Sequence, residues 1–338
     1  MRTTAIFNLK GGVAKTTTVI NMAAILAERD KRVLCIDADP QANLTQFYGY
    51  KDPEKTVGNT LAQLLNLDAE GRSDWCEDYV YATNVSGVEL LPASLDLINA
   101  DIASMQRFGS VSLKAISDLL YNLSVDAWNE AGVPDHAVDA FDHVLIDCPP
   151  SFTAATVAAL YAADDVIIPL EADLFSITGM AAVMAQIESM RNVKPRIRVA
   201  GALICKWHNT IATHQGEAAL RASAVPVFHQ VIRRSDKVTE SIFSGQSLQQ
   251  YSPQSAAGRD YRAFVDEFLE VQLWQSLTWA TASPIFSDRC HLPTPRSRSN
   301  ISRCNTSSAT SATSTAWTAW RSWRRTSSSS ACSNRCAS

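Results

Sequence analysis

The run Lys10-Gly11-Gly12-Val13-Ala14-Lys15-Thr16-Thr17 constrains this chain more than any other, because it links a strand-like stretch to a helical one through small residues. Upstream, Thr4 to Leu9 reads as a short buried strand. Downstream, Val19, Met22, Ala23 and Leu26 recur at helical spacing through Arg29, in a helix expected to begin near Thr17. A loop of small residues in that setting turns backbone N–H groups inward, and the helix adds the positive end of its dipole. The ligand that fits is a polyphosphate. Residues 10 to 17 then form the nucleotide-binding loop, with Lys15 reaching the β and γ phosphates and the Thr16 hydroxyl meeting Mg²⁺. The G-x-x-x-x-G-K-[ST] pattern is not met strictly, since Leu9 and Ala14 occupy its two glycine positions.

Two further strands deliver acids to the same end of a sheet. Arg32 to Ile36 is apolar and is followed by Asp37-Ala38-Asp39-Pro40-Gln41, at the carboxyl end where ligands bind in open α/β sheets. His143 to Ile146 is likewise apolar and ends in Asp147-Cys148-Pro149-Pro150-Ser151, which reads as a Walker B strand. Mg²⁺ keeps several waters and takes few carboxylates, so Asp147 would hold it through water, beside Thr16 and Asp39. Asp37 reads as a supporting acid.

The loop matches the deviant form K-G-G-x-x-K-[ST], and with Asp37 to Gln41 and Asp147 to Ser151 following in order it resembles the ParA/MinD family of P-loop ATPases, most nearly the ParA-type partition branch. The resemblance implies that Lys10 reaches across an ATP-bound homodimer to the partner's phosphates, as an arginine finger does elsewhere. It assigns Asp39 to orienting the attacking water, making Lys10, Lys15 and Asp39 the catalytic candidates, with ATP and Mg²⁺ as cofactors. It also implies a ParB-like, centromere-binding partner that stimulates slow hydrolysis, and non-specific DNA binding by the ATP-bound dimer.

The remaining apolar runs, Val88 to Pro92, Asp165 to Leu170 and Val199 to Ile204, alternate with helical stretches. This predicts an α/β fold, a mostly parallel twisted sheet flanked by helices, of the P-loop NTPase kind. Residues 231 to 240 resemble the family's I-P-R-N-V-R-L-S-E stretch near the adenine, with Arg233 where proline is usual. The resemblance extends over residues 1 to 270, one large domain. From Arg289 onward there is no Asp, Glu, Lys, Gly, Val, Tyr or Met, and Ser, Thr, Arg, Ala, Cys and Trp crowd together without periodicity. Residues 271 to 338 are therefore read as a disordered tail or as the product of a frameshift near residues 271 to 288.

Residues 1 to 270 carry 22 Lys+Arg against 33 Asp+Glu, a net of −11, whereas the tail carries a net of +7. An acidic body argues against a dedicated DNA-coating protein, because non-specific affinity comes from basic contacts. Yet Arg191 to Lys237 holds nine basic residues and two acids, and Arg221, Arg234 and Lys237 are the DNA-binding candidates within it.

Cys35, Cys76, Cys148 and Cys205 show no paired spacing, which fits a reducing compartment and weakens any iron–sulfur reading. The chain opens directly on its first strand, without a leader or room for an operator-binding domain, so a cytoplasmic protein is expected, nucleoid-associated when bound to ATP. The acids Asp266, Glu267 and Glu270 disfavour a membrane-lying helix there. The alternative is a MinD-like or protein-cargo positioning ATPase that does not act on DNA.

Overall fold

The computed structural model describes residues 1–66, 76–106, 112–131 and 140–282. Seven strands form one sheet: β1 (Arg2–Ile6), β2 (Val33–Asp37), β3 (Tyr81–Ala82), β4 (Val88–Leu91), β5 (His143–Asp147), β6 (Asp165–Leu170) and β7 (Arg198–Ile204). They lie in the order β3-β4-β2-β5-β1-β6-β7. Every neighbouring pair is parallel except β3 against β4, where Tyr81 faces Leu90. The fold is thus an α/β P-loop NTPase sheet, as expected, with one addition. A two-residue edge strand is too short to show alternation, so β3 was not legible in the sequence.

Strand residues divide between two cores because successive side chains point to opposite faces. Leu34, Ile36, Val144, Ile146, Val166 and Ile168 join one core, while Val33, Cys35, Leu145 and Ile167 join the other. The helices that cover them are, in chain order, α1 (Lys15–Ala27), α2 (Asn43–Phe47), α3 (Pro53–Thr56), α4 (Leu61–Leu65), α5 (Leu97–Gln106), α6 (Ala115–Ala131), α7 (Ala154–Ala162), α8 (Leu174–Arg191), α9 (Ile211–Ala222), α10 (Asp236–Phe243), α11 (Leu248–Tyr251) and α12 (Ala256–Ala282). On one face α4, α6, α7 and α8 pack through Leu61, Ile116, Leu160 and Ile187. On the other, Met22 and Ile25 of α1 meet Phe264 and Phe268 of α12. Each such buried side chain contributes roughly 1.5–3 kcal/mol.

β1 lies inside the sheet between β5 and β6. The chain leaves β1 toward one edge and leaves β5 toward the other, so the crevice of a doubly wound sheet opens at the carboxyl ends of β1 and β5. Phe7 still donates its N–H to Ile167 O at 3.0 Å, but residues 7 to 9 turn out of the ladder to begin the loop, so β1 stops earlier than the apolar run suggests.

α12 closes the fold. Its Glu267 is 1% exposed and accepts N–H bonds from His229 at 2.7 Å and Gln230 at 2.9 Å. The helix continues through residue 270, where the domain boundary was expected; residues 283–338, which hold most of the anomalous tail, lie outside the described residues. Among the described residues no helix is long and apolar enough to cross a membrane.

Candidate functional site

Two left-handed residues bend the chain from β1 into α1: Gly12 with φ 73° and Ala14 with φ 72°. Glycine takes this conformation freely, but a residue with a Cβ is strained by about 1–2 kcal/mol. Ala14 stands where the common pattern has its second glycine, so the deviation is conformationally real and is borne as strain. A Cβ built at Gly11 or Gly12 would meet nothing within 4 Å, which leaves the space beside the loop open.

The buried Lys15 side chain curls over that space. Its Nζ donates to the carbonyls of Asn8 and Lys10, each at 3.1 Å. Burial lowers its pKa, and the nearby Asp147 works against that shift. Thr18 Oγ1 donates to Ala14 O at 2.7 Å and tightens the first turn of α1. Thr16 and Thr17, both half-buried, open the helix beside Lys15, and Val13 is fully buried beneath the loop.

Asp37 and Asp147 end adjacent strands and face each other directly in the β2–β5 register. Asp37 is wholly buried and accepts from Thr45 N at 2.9 Å, Thr45 Oγ1 at 2.7 Å and Asp39 N at 3.1 Å. Burial outweighs these bonds and pushes its pKa up to about 6. Thr45 Oγ1 also accepts Ala93 N at 3.0 Å, so the segment after β4, which carries no chemical motif of its own, braces Asp37 through Thr45.

Asp147 contrasts with its neighbour. Both carboxylate oxygens are buried and neither accepts a hydrogen bond. Burial, followed by the charge of Asp37, drives its pKa well up. The Thr16 hydroxyl is near enough to oppose this without forming a bond of good geometry. A buried, unpartnered carboxylate beside an open glycine loop fits a divalent cation carried with a polyphosphate. Asp39 is half-buried at the loop's rim, where its Oδ1 accepts Gln41 N at 2.9 Å.

Lys10 turns away from its own loop. Its Nζ lies 2.7 Å from Asp173 Oδ2 and 3.5 Å from Ser176 Oγ, at the start of α8. Asp173 also caps that helix by accepting Ser176 N at 2.7 Å. Partial burial alone would raise the Asp173 pKa, but the hydrogen bonds from Lys10 and Ser176 hold it below the usual carboxylate value.

The three DNA candidates fare differently. Arg221 uses its guanidinium on Glu217 Oε1 at 2.8 Å and on the carbonyls of Phe228 and His229 at 3.0 and 3.1 Å, so it braces the end of α9. Lys237 pairs with Glu240 at 2.6 Å. Arg234 is exposed, and among the described residues its recorded bond is from the backbone N–H to Trp207 O at 2.9 Å. Arg233, in place of proline, forks onto Asp260 of α12 at 2.8 and 2.7 Å.

Between α8, α9 and the end of β7 a cavity of about 540 Å³ opens next to the loop, lined in part by Glu171, Asp173, Trp207 and Gly216. Lys206 also lines it and donates to Gly12 O at 2.6 Å. Sequence reasoning counted Lys206 only within a basic run. Its signal was its position, two residues past the apolar end of a strand that reaches the same rim as the loop.

Sheet order, glycine loop, buried lysine and strand-end acids together define a P-loop NTPase. A family model described as AAA domain matches residues 1–199. The chromosome-partitioning ATPase Soj of Thermus thermophilus is 34% identical over 272 residues, covering 80% of this chain and 96% of that protein. The chromosome partitioning protein ParA of Caulobacter vibrioides is 30% identical, covering 80% of this chain and 94% of its own length. A Mycobacterium smegmatis protein titled cobyrinic acid a,c-diamide synthase, solved with an ATP analogue and magnesium, superposes with a TM-score of 0.64 at 30% identity, over 82% of this chain and 96% of that one. The chain belongs to the ParA/MinD family of P-loop ATPases.

Proposed function

We propose that this protein is a ParA-type partition ATPase: ATP with Mg²⁺ drives homodimerisation, the dimer binds DNA without sequence preference, and a ParB-like partner stimulates hydrolysis and release. The observation that carries this reading is the placement of Lys10. A lysine turned out of its own phosphate loop, half-exposed and held by one carboxylate, is available to a second subunit in a way that Lys15 is not. Likeness to Soj and ParA supports the choice of cargo.

Residues 10 to 17 would hold the phosphates, and Thr16 and Asp147 the cation, with Asp39 at the rim. Bound Mg²⁺ would supply charge neutralisation at the β and γ oxygens. The remaining work belongs to the chain. Loop N–H groups bind and orient the phosphates, Lys15 and Lys10 stabilise developing charge, and Asp39 positions water. Asp37, pinned by Thr45, fixes the segment that carries Asp39.

The test is binding of the full-length protein to non-specific duplex DNA across a salt series, with ATP, ADP or no nucleotide. ATP-specific binding that weakens steeply with salt is expected. Binding that ignores nucleotide would reflect the basic tail instead. ATP-dependent dimers that bind no DNA in any state would overturn the partition reading in favour of a protein-cargo or membrane-positioning ATPase.

A further inference from the structure

Lys206 has a left-handed backbone, φ 53°. Such a residue is strained by its Cβ and persists only where its surroundings fix it. They do so here. Cys205 N donates to Leu170 O at 2.7 Å, in step with β6, whereas Trp207 N donates to Ile232 O at 2.9 Å. The chain changes partners between these residues, and the left-handed turn accomplishes the change. The same turn sends the side chain to the phosphate loop, where Nζ donates to Gly12 O at 2.6 Å and pairs with Glu171 Oε1 at 3.0 Å.

The bond completes a pattern. Alternate carbonyls along the loop each accept from a side chain: Asn8 and Lys10 from Lys15, Gly12 from Lys206, and Ala14 from Thr18. Gly12 is the member of this set with least restraint of its own, since it has no side chain, a positive φ and open space around it.

We propose that Lys206 positions the phosphate loop by holding the Gly12–Val13 peptide in one orientation, an inference that rests on reading the loop as a nucleotide site. In a trans peptide the carbonyl of one residue and the N–H of the next point in opposite directions. Fixing Gly12 O toward Lys206 therefore turns Val13 N–H to the opposite face of the loop. A phosphate cradle needs that arrangement, with carbonyls outward and amides inward. Glu171 keeps the ammonium at its post. Lys206 is thus a positioning residue, acting on the ligand through the backbone.

The experiment measures binding of a fluorescent N-methylanthraniloyl-ATP to the full-length protein and to Lys206→Gly, Lys206→Arg and Lys15→Ala, alongside melting without nucleotide. Glycine suits a left-handed position, so Lys206→Gly is expected to melt no lower than the parent protein yet to bind about tenfold more weakly, the loss of one charge-assisted bond. Lys206→Arg is expected to recover most of the affinity. Unchanged binding in Lys206→Gly, with Lys15→Ala inactive, overturns the positioning role and leaves the nucleotide site standing. A parallel fall in melting temperature and affinity also overturns it, in favour of a structural role. If the parent protein binds no probe, the nucleotide reading itself fails, and this inference with it.

Discussion

Lys10 Nζ and Asp173 Oδ2 lie 2.7 Å apart within one chain, joining the phosphate loop to the first turn of α8. Both side chains are more than a third exposed, so the pair contributes little to stability, at most about 1 kcal/mol. Its importance lies in what Lys10 is kept from doing. Asp173→Asn retains an oxygen to cap α8 and removes the opposing charge. We expect an almost unchanged melting temperature and ATP-dependent self-association at lower protein concentration, followed by analytical ultracentrifugation. Self-association equal to that of the parent protein would show that the pair restrains nothing.

Asp147 holds a buried carboxyl group without a hydrogen-bond partner. Burying an ionised carboxylate uncompensated is unfavourable. Asp147→Asn should raise the melting temperature of the nucleotide-free protein at neutral pH while removing the dependence of nucleotide affinity on added Mg²⁺. Calorimetric titration with and without Mg²⁺ checks the second part.

His143 is buried at the opposite end of β5 from Asp147, and burial lowers its pKa to about 4 from 6.5. Between those values the unfolded chain binds the proton more strongly, so stability is lost as pH falls from 6.5 toward 4. Asp37, raised by burial, works in the opposite sense over a similar window, so the comparison must be between variants. His143→Gln should gain stability relative to the parent protein as pH drops below 6.5, by about 2 kcal/mol near pH 4.5, and show no pH-dependent difference above pH 7.5. Urea melts at matched pH values measure it.

Arg234 and Arg221 separate a surface cation from a brace. Arg234→Ala should leave the melting temperature unchanged and lower the slope of log affinity for DNA against log salt by about 1 for each phosphate that it no longer neutralises. Arg221→Ala strands the carbonyls of Phe228 and His229 and should lower the melting temperature instead. Equal salt slopes in the parent and Arg234→Ala would remove Arg234 from the DNA surface.

Ala14 holds a left-handed backbone with a Cβ. Ala14→Gly should stabilise the nucleotide-free protein by about 1 kcal/mol, read as a rise in melting temperature.

The parallel strands were legible because buried ones are written as unbroken apolar runs, and β5 and β6 begin and end where those runs do, whereas β3 was not legible. The phosphate loop was legible because its chemistry needs particular residues in sequence order. What escaped was built across the sequence. Asp173 pairs with a residue 163 positions away, and Lys206 with one 194 positions away. Neither carries a chemical motif of its own, and what brings each to its partner is two strands ending at one rim. Arg221 differs, because its partners are near it in sequence: Glu217 four positions before, and the Phe228 and His229 carbonyls seven and eight positions after. The turn after α9 brings those two carbonyls back to the guanidinium, a geometry that a count of basic residues does not show.

Glu267 bonds the backbone of His229 and Gln230 from a helix near the far end of the described chain. During synthesis, residues 1 to 230 leave the ribosome before this carboxylate does. Until it arrives, two N–H groups on the path from β7 to α10 lack their partner, and the loop that pairs with Trp207 has no support from behind. The rim that carries Lys206 is therefore completed late, after the phosphate loop itself has long been available. A chain that ends before α12 lacks the carboxylate that closes these two N–H groups, so the last helix is a condition for finishing a rim written some forty residues earlier.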